Sequence, residues 1–260
     1  MKSIIFFLII IISALPCYSK TITGEVQKQS SVKTNKIYDS TTHIPIEGVL
    51  IKVPSKNYYT KTDKDGSFQL GTSINSPTIM SLEKDGYKPY SMTLGSNFNK
   101  PLSIGIEKTS GLDIVVDTDM VHIGDDSFSD RSANAGDFSI RSMGPFYSKD
   151  FEIKQFSPKD ALFLVIGSII GIDTVQAQRL GQSRVLTAYS SPPEIFFNNN
   201  KIAEIKINGD NQKINIPYNL VKFGEKNNIT IKTGRNLYKT SSIDFDDIEF
   251  TNLLLEIQKM

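Results

Sequence analysis

The sequence is short of the residues on which most enzymatic chemistry is built. It holds one cysteine, Cys17, two histidines, His43 and His122, and no tryptophan among 260 residues. A lone cysteine excludes an internal disulfide, and two histidines exclude any three-histidine metal centre. Neither histidine sits in a nucleophile motif, so no catalytic residues are assigned from the sequence. Charge of one sign is missing too. The 29 basic residues stand against 28 acidic ones, which leaves no field to steer the chain to nucleic acid or an anionic membrane surface.

Apolar runs long enough to span a bilayer are absent after residue 20. The run at the start reads Lys2, then Ile4 to Ile12, then Ser13 to Ser19 with Pro16 within it. That layout is a secretory signal peptide, too short to span a bilayer. Pro16 before Cys17 fits poorly with lipid attachment, so cleavage is expected after Ser19. Residues 1–19 are thus read as the signal, the mature chain as cysteine-free, and the location as secreted or periplasmic. No transmembrane segment is expected in the mature chain, and burial of apolar surface must supply its stability.

What is there is β-chemistry. Ile22 to Val26, Val49 to Val53, Tyr58 to Thr62, Phe68 to Leu70, Thr78 to Leu82 and Tyr90 to Leu94 are rich in β-branched and aromatic residues. Asp63-Lys64-Asp65-Gly66 and Lys84-Asp85-Gly86 separate them as turns. The first of these acidic loops has no glutamate at the twelfth position and is flanked by strands, so it is read as a turn and not as an EF-hand.

From Leu112 onward the expected strands are Leu112 to Val116, Asp137 to Arg141, Phe151 to Ile153, Ala161 to Ile172, Glu194 to Phe197, Ile202 to Ile207, Gln212 to Ile216, Asn228 to Thr233 and Asp247 to Ile257. Ala161 to Ile172 could be a buried helix by apolarity alone. Its glycines and β-branched residues favour a long core strand bent at glycine. The fold class expected is all-β, two consecutive β-sandwich domains: 20–107 and 112–260, joined by a polar linker at 108–111.

In the first half, Gly24-Glu25-Val26, Pro45-Ile46-Glu47-Gly48-Val49, Thr62-Asp63-Lys64-Asp65-Gly66-Ser67-Phe68 and Asp85-Gly86-Tyr87 fall in one order. The set resembles the carboxypeptidase regulatory-like domain, which implies a transthyretin-like β-sandwich. In the second half, Val121-His122-Ile123-Gly124-Asp125-Asp126, Glu194 to Ile202, Asn227 to Ile231 and Asp246 to Leu253 resemble the galactose-binding-like jelly rolls of carbohydrate-binding modules. That resemblance implies a sugar-binding face, although the tryptophan platforms common in such modules have no counterpart here.

Asp125 and Asp126, with Asp246, Asp247 and Glu249 near the closing strand, would converge if the two ends of the second half pair. Asp125, Asp126 and Asp247 are the expected metal ligands, with a structural calcium as the ion that hard oxygen donors suit. Ordinary surface acids in turns are the other reading. His122, Tyr147, Tyr189, Asn198 and Asn199 are the expected ligand-binding residues, with His122 also able to orient its own loop. The function expected is a secreted, non-catalytic binding protein with a polysaccharide or an envelope protein as partner. A structural envelope role and a glycoside-acting hydrolase are the alternatives.

Overall fold

A computed structural model describes residues 34–96, 98, 100–127, 138–183, 189–239 and 241–259. The signal peptide, the strand expected at Ile22 to Val26 and the Gly24-Glu25-Val26 landmark lie outside the described residues. No helix among the described residues is long and apolar enough to cross a membrane.

The described residues are all-β, with several sheets and one short α-helix. In the first half, β1 (Asn35–Asp39), β4 (Ser67–Phe68) and β7 (Ser103–Ile106) form one sheet in the order β4-β1-β7. β2 (Leu50–Val53), β3 (Tyr58–Lys61), β5 (Thr78–Glu83) and β6 (Tyr90–Leu94) form another in the order β3-β2-β5-β6. Both sheets feed one core, with Ile37, Phe68 and Ile104 from the first meeting Ile51, Met80, Leu82 and Leu94 from the second. Asp63 closes the β3–β4 turn by accepting the Ser67 N–H on its Oδ1 at 2.8 Å, which is turn chemistry as expected.

The second half is built on β11 (Ala161–Ile170) and β16 (Ile248–Gln258). They pair antiparallel, with β14 (Gly209–Ile216) outside β11 and β8 (Ile114–Asp117) outside β16. β9 (Val121–Ile123) continues along the other end of β16. A second sheet runs β10 (Phe146–Glu152), β15 (Lys226–Lys232), β12 (Glu194–Phe197), β13 (Asn200–Glu204). The two sheets share a core that includes Leu164, Ile166, Phe197, Ile231 and Phe250. α1 (Val175–Arg179) was not expected; Thr174 caps it by accepting the Ala177 N–H at 3.1 Å.

The long strand is locally irregular at its glycine. Register is the same on both sides of Gly167, with Ile166 opposite Leu253 and Ser168 opposite Thr251, but Gly167 itself pairs with neither neighbouring strand, and Asn211 and Asn252 beside it have left-handed backbones, φ 52° and 60°. A Cβ there would lie 2.5 Å from Ser91 Oγ and 2.7 Å from Asn252 Cβ, and only glycine lets β6 of the first half lie this close to β11. β11 is therefore covered on both faces, which explains its nearly continuous burial.

Polar contacts close the same seam. Lys88 Nζ reaches Glu256 at 2.5 Å and Glu107 at 3.3 Å, and Asp210 accepts from both Thr93 N–H at 3.0 Å and Thr93 Oγ1 at 2.8 Å. The segment 108–111 is itself tied down: Thr109 N–H donates to Gly86 O at 3.0 Å and Ser110 N–H to Asp113 Oδ2 at 2.7 Å.

Candidate metal centre and binding cleft

The two-residue period of β9 and β16 sorts their side chains. Val121, Ile123, Ile248 and Phe250 enter the core. His122, Asp247 and Glu249 must then share the opposite face, and His122 stands directly across from Glu249 in the ladder. The segment expected as a strand at Asp137 to Arg141 is not one over its described part, Phe138 to Arg141. It covers His122 instead, with the Phe138 ring 4.9 Å from the imidazole.

His122 is buried, and both ring nitrogens face oxygens. Nδ1 lies 2.5 Å from the Ile140 carbonyl and Nε2 2.9 Å from Asp247 Oδ1. A carbonyl can only accept, so Nδ1 carries a proton and Nε2 is the nitrogen left to meet Asp247 as a proton donor or a metal as a lone pair. Asp126 adopts a left-handed backbone, φ 56°, which turns its N–H toward Asp247 Oδ1 at 3.1 Å. Its carboxylate lies 3.8 Å from the imidazole and accepts the Ser142 N–H at 3.1 Å. Gly124 is needed beside them, because a Cβ there would overlap the Asp247 carboxylate.

Ligand atoms of His122, Asp126 and Asp247 lie within 4.8 Å of one another, and the group could hold a metal ion. Burial pulls the His122 imidazole down, yet its bonds to Asp247 and the Ile140 carbonyl, with the charges of Asp247 and Glu249, carry it above its ordinary value. Burial pushes Asp247 up against the opposing bonds from His122 and Asp126. Glu249, 1% exposed, is pushed up to about 7 by burial, with only the charge of His122 acting the other way. Its Oε1 has no hydrogen-bond partner.

The remaining expected site residues are placed elsewhere. Asp125, expected as a metal ligand, spends its carboxylate on backbone: Oδ1 accepts from Ser127 N–H and Oδ2 from Phe245 N–H, each at 3.0 Å. Asp246 accepts the Asp173 N–H at 3.2 Å, and burial raises it well above the carboxylate range. Tyr147, expected to touch ligand, is a core residue; its hydroxyl donates to Asp117 Oδ2 at 2.6 Å and its ring meets Phe250 edge-on. Asn198 and Asn199 form the β12–β13 turn with φ 47° and 65°. The Asn198 amide is used internally, donating to Leu220 O and Asn227 Oδ1 and accepting the Asn228 N–H. Asn199 is exposed, and Tyr189 is half-buried, its ring 5.4 Å from Tyr238.

A cleft of about 770 Å³ lies on the outward face of the β10-β15-β12 sheet. Register builds its floor. Phe146, Lys232 and Glu194 form one cross-strand row and Ser148 and Thr230 the next, which Phe196, outside the lining, continues. Lys232 Nζ sits 4.5 Å above the Phe196 ring. Pro192, Arg235, Leu237 and Phe245 make the walls, with Phe146 and Leu237 each 55% exposed. Phe146 and Phe196 were visible as aromatics in the sequence. Ser191 and Pro192 belong to a loop the sequence marks as exposed; the floor residues Thr230 and Lys232 were missed, although the alternation in Asn228 to Thr233 already places them on one face. No protein-family model matches the chain, and no curated protein is significantly similar to it.

Proposed function

We propose that the protein is an exported, non-catalytic binding protein built from two β-sandwiches, the second of which takes a glycan in this cleft. The cleft carries the reading. Exposed apolar rings and side chains on its floor and rim, set among cationic and hydroxyl groups, suit a ligand that has both an apolar face and many polar substituents, as a sugar ring does. The sandwich architecture also agrees with the likeness to the carboxypeptidase regulatory-like domain in the first half and to galactose-binding-like jelly rolls in the second.

Hydrolysis is the weaker reading. Among the described residues lining the cleft only Glu194 is acidic, and it is paired with Lys201 at 2.6 Å, whereas glycoside hydrolysis needs two carboxyl groups across the substrate. In this reading the metal-capable group is structural and ties the loop at Asp126 to β16 through Asp247. Calcium, the ion expected from the acids alone, would find an imidazole among its donors, which it does not favour.

A protein partner in the envelope is the second reading, favoured by β3, which lies at a sheet edge and carries Tyr59 at 75% exposure. Affinity electrophoresis through gels cast with neutral and acidic polysaccharides separates the two. Retardation that Phe146→Ala and Lys232→Ala abolish supports the glycan reading. Unretarded migration of folded protein in every gel, with a stoichiometric partner recovered from envelope extract, replaces it with the second.

A further inference from the structure

We propose that His122, Asp126 and Asp247, with Glu249 buried on the same face beside them, form a site for a divalent first-row transition metal of the zinc or manganese type. The proposal is independent of the cleft and of any glycan. Three of these residues already bring ligand atoms within 4.8 Å of one another. Glu249 supplies the second observation. It is 1% exposed, its Oε1 is without a partner, and its place across from His122 and two residues after Asp247 puts it on the face those side chains share. A carboxylate in that position, with no hydrogen-bond donor on Oε1 and only the His122 imidazole across from it to offset its charge, is costly unless something positive is bound beside it.

The donor set decides the class of ion. One imidazole nitrogen with two carboxylates is a borderline set that suits zinc, manganese or iron, while calcium and magnesium take all-oxygen shells. The outer contacts agree. A metal-bound imidazole fixes its tautomer by donating the other ring N–H to a carbonyl or carboxylate, and His122 Nδ1 has the Ile140 carbonyl at 2.5 Å. Nε2 and Asp247 Oδ1, 2.9 Å apart, are spaced as two neighbouring ligand atoms on an ion with bonds of about 2.0–2.2 Å. Asp247 is fixed in turn by the Asp126 N–H, and Gly124 leaves the room that its carboxylate occupies.

The test uses the full mature chain, stripped with EDTA, dialysed and titrated calorimetrically with Zn²⁺, Mn²⁺ and Ca²⁺, and spectroscopically with Co²⁺. One equivalent of Zn²⁺ or Mn²⁺ bound more tightly than Ca²⁺, with visible absorption bands on Co²⁺ addition, is the expected result. Glu249→Gln and Asp247→Asn should each weaken binding by at least about tenfold. Asp125→Asn and Phe146→Ala should leave it unchanged, and circular dichroism checks that every variant is folded. Tighter binding of Ca²⁺ than Zn²⁺ or Mn²⁺, no binding of any ion by folded wild type, or an affinity unchanged by Glu249→Gln in a folded protein would each overturn the proposal.

Discussion

Replacing Glu249 by glutamine should make the metal-free protein more stable at neutral and alkaline pH, the reverse of what loss of a native polar contact does. The carboxyl titrates at about 7 in the folded chain against an ordinary 4.5, because burial opposes its charge. Between those values the folded chain holds a proton that the unfolded chain has released. Its stabilising effect is therefore complete below pH 4.5, falls as pH rises, and is gone above 7. The difference of two and a half pKa units corresponds to about 3 kcal/mol. Glutamine cannot titrate, so the stability of Glu249→Gln relative to wild type should climb by nearly that amount across the window. Removal of the charge also takes an attraction from His122, which trims the gain. Urea unfolding of both proteins in EDTA at half-unit steps from pH 4.5 to 8 measures it. A stability difference constant with pH would refute the placement of Glu249 as a buried, unpaired acid.

Two further substitutions probe the fold. Asn199→Gly should stabilise the protein by about 0.5 kcal/mol in thermal or urea unfolding, because glycine adopts the left-handed turn at φ 65° without the strain of a side chain. Burial pushes the Glu256 carboxyl up, but Lys213 and Lys88 overcome it and hold it down at about 2. That depressed acid stabilises the fold above pH 4.5 and loses its effect as pH falls toward 2. Glu256→Gln should thus cost about 2 kcal/mol at pH 7, after screening through the partly exposed Lys213, and should flatten the acid limb of the unfolding profile.

The β-class was legible because turn residues and alternation recur along both halves; β6 and β12 fall on their expected bounds. β1 and β7 were not legible. Asn35–Asp39 and Ser103–Ile106 are short, and they pair parallel across the whole first half, so no hairpin turn marks them. β10 was seen only at its end, since as a sheet edge it carries mostly outward polar residues and little alternation to detect. α1 has five residues, too few to show a period, and only Thr174 before it and Gly181 after it hint at a helix. At the site, the pairing of the two ends of the second half brought His122, Asp126 and Asp247 together as the acidic loop implied. Asp125 and Tyr147 could not be placed from type alone. Their neighbours in sequence look equivalent, and which side chain turns inward depends on a register that only the paired strands fix.

The fit of β6 against β11 at Gly167 bears on how force and orientation pass through the molecule. With no space for even a methyl group at the contact, and with Lys88 and Asp210 bridging it, the first half cannot pivot on the second without breaking these bonds. The pair acts as a single strut. On the proposed glycan reading, whatever grips the first half also aims the mouth of the cleft, so the direction in which a ligand is presented becomes a mechanical property of the whole strut.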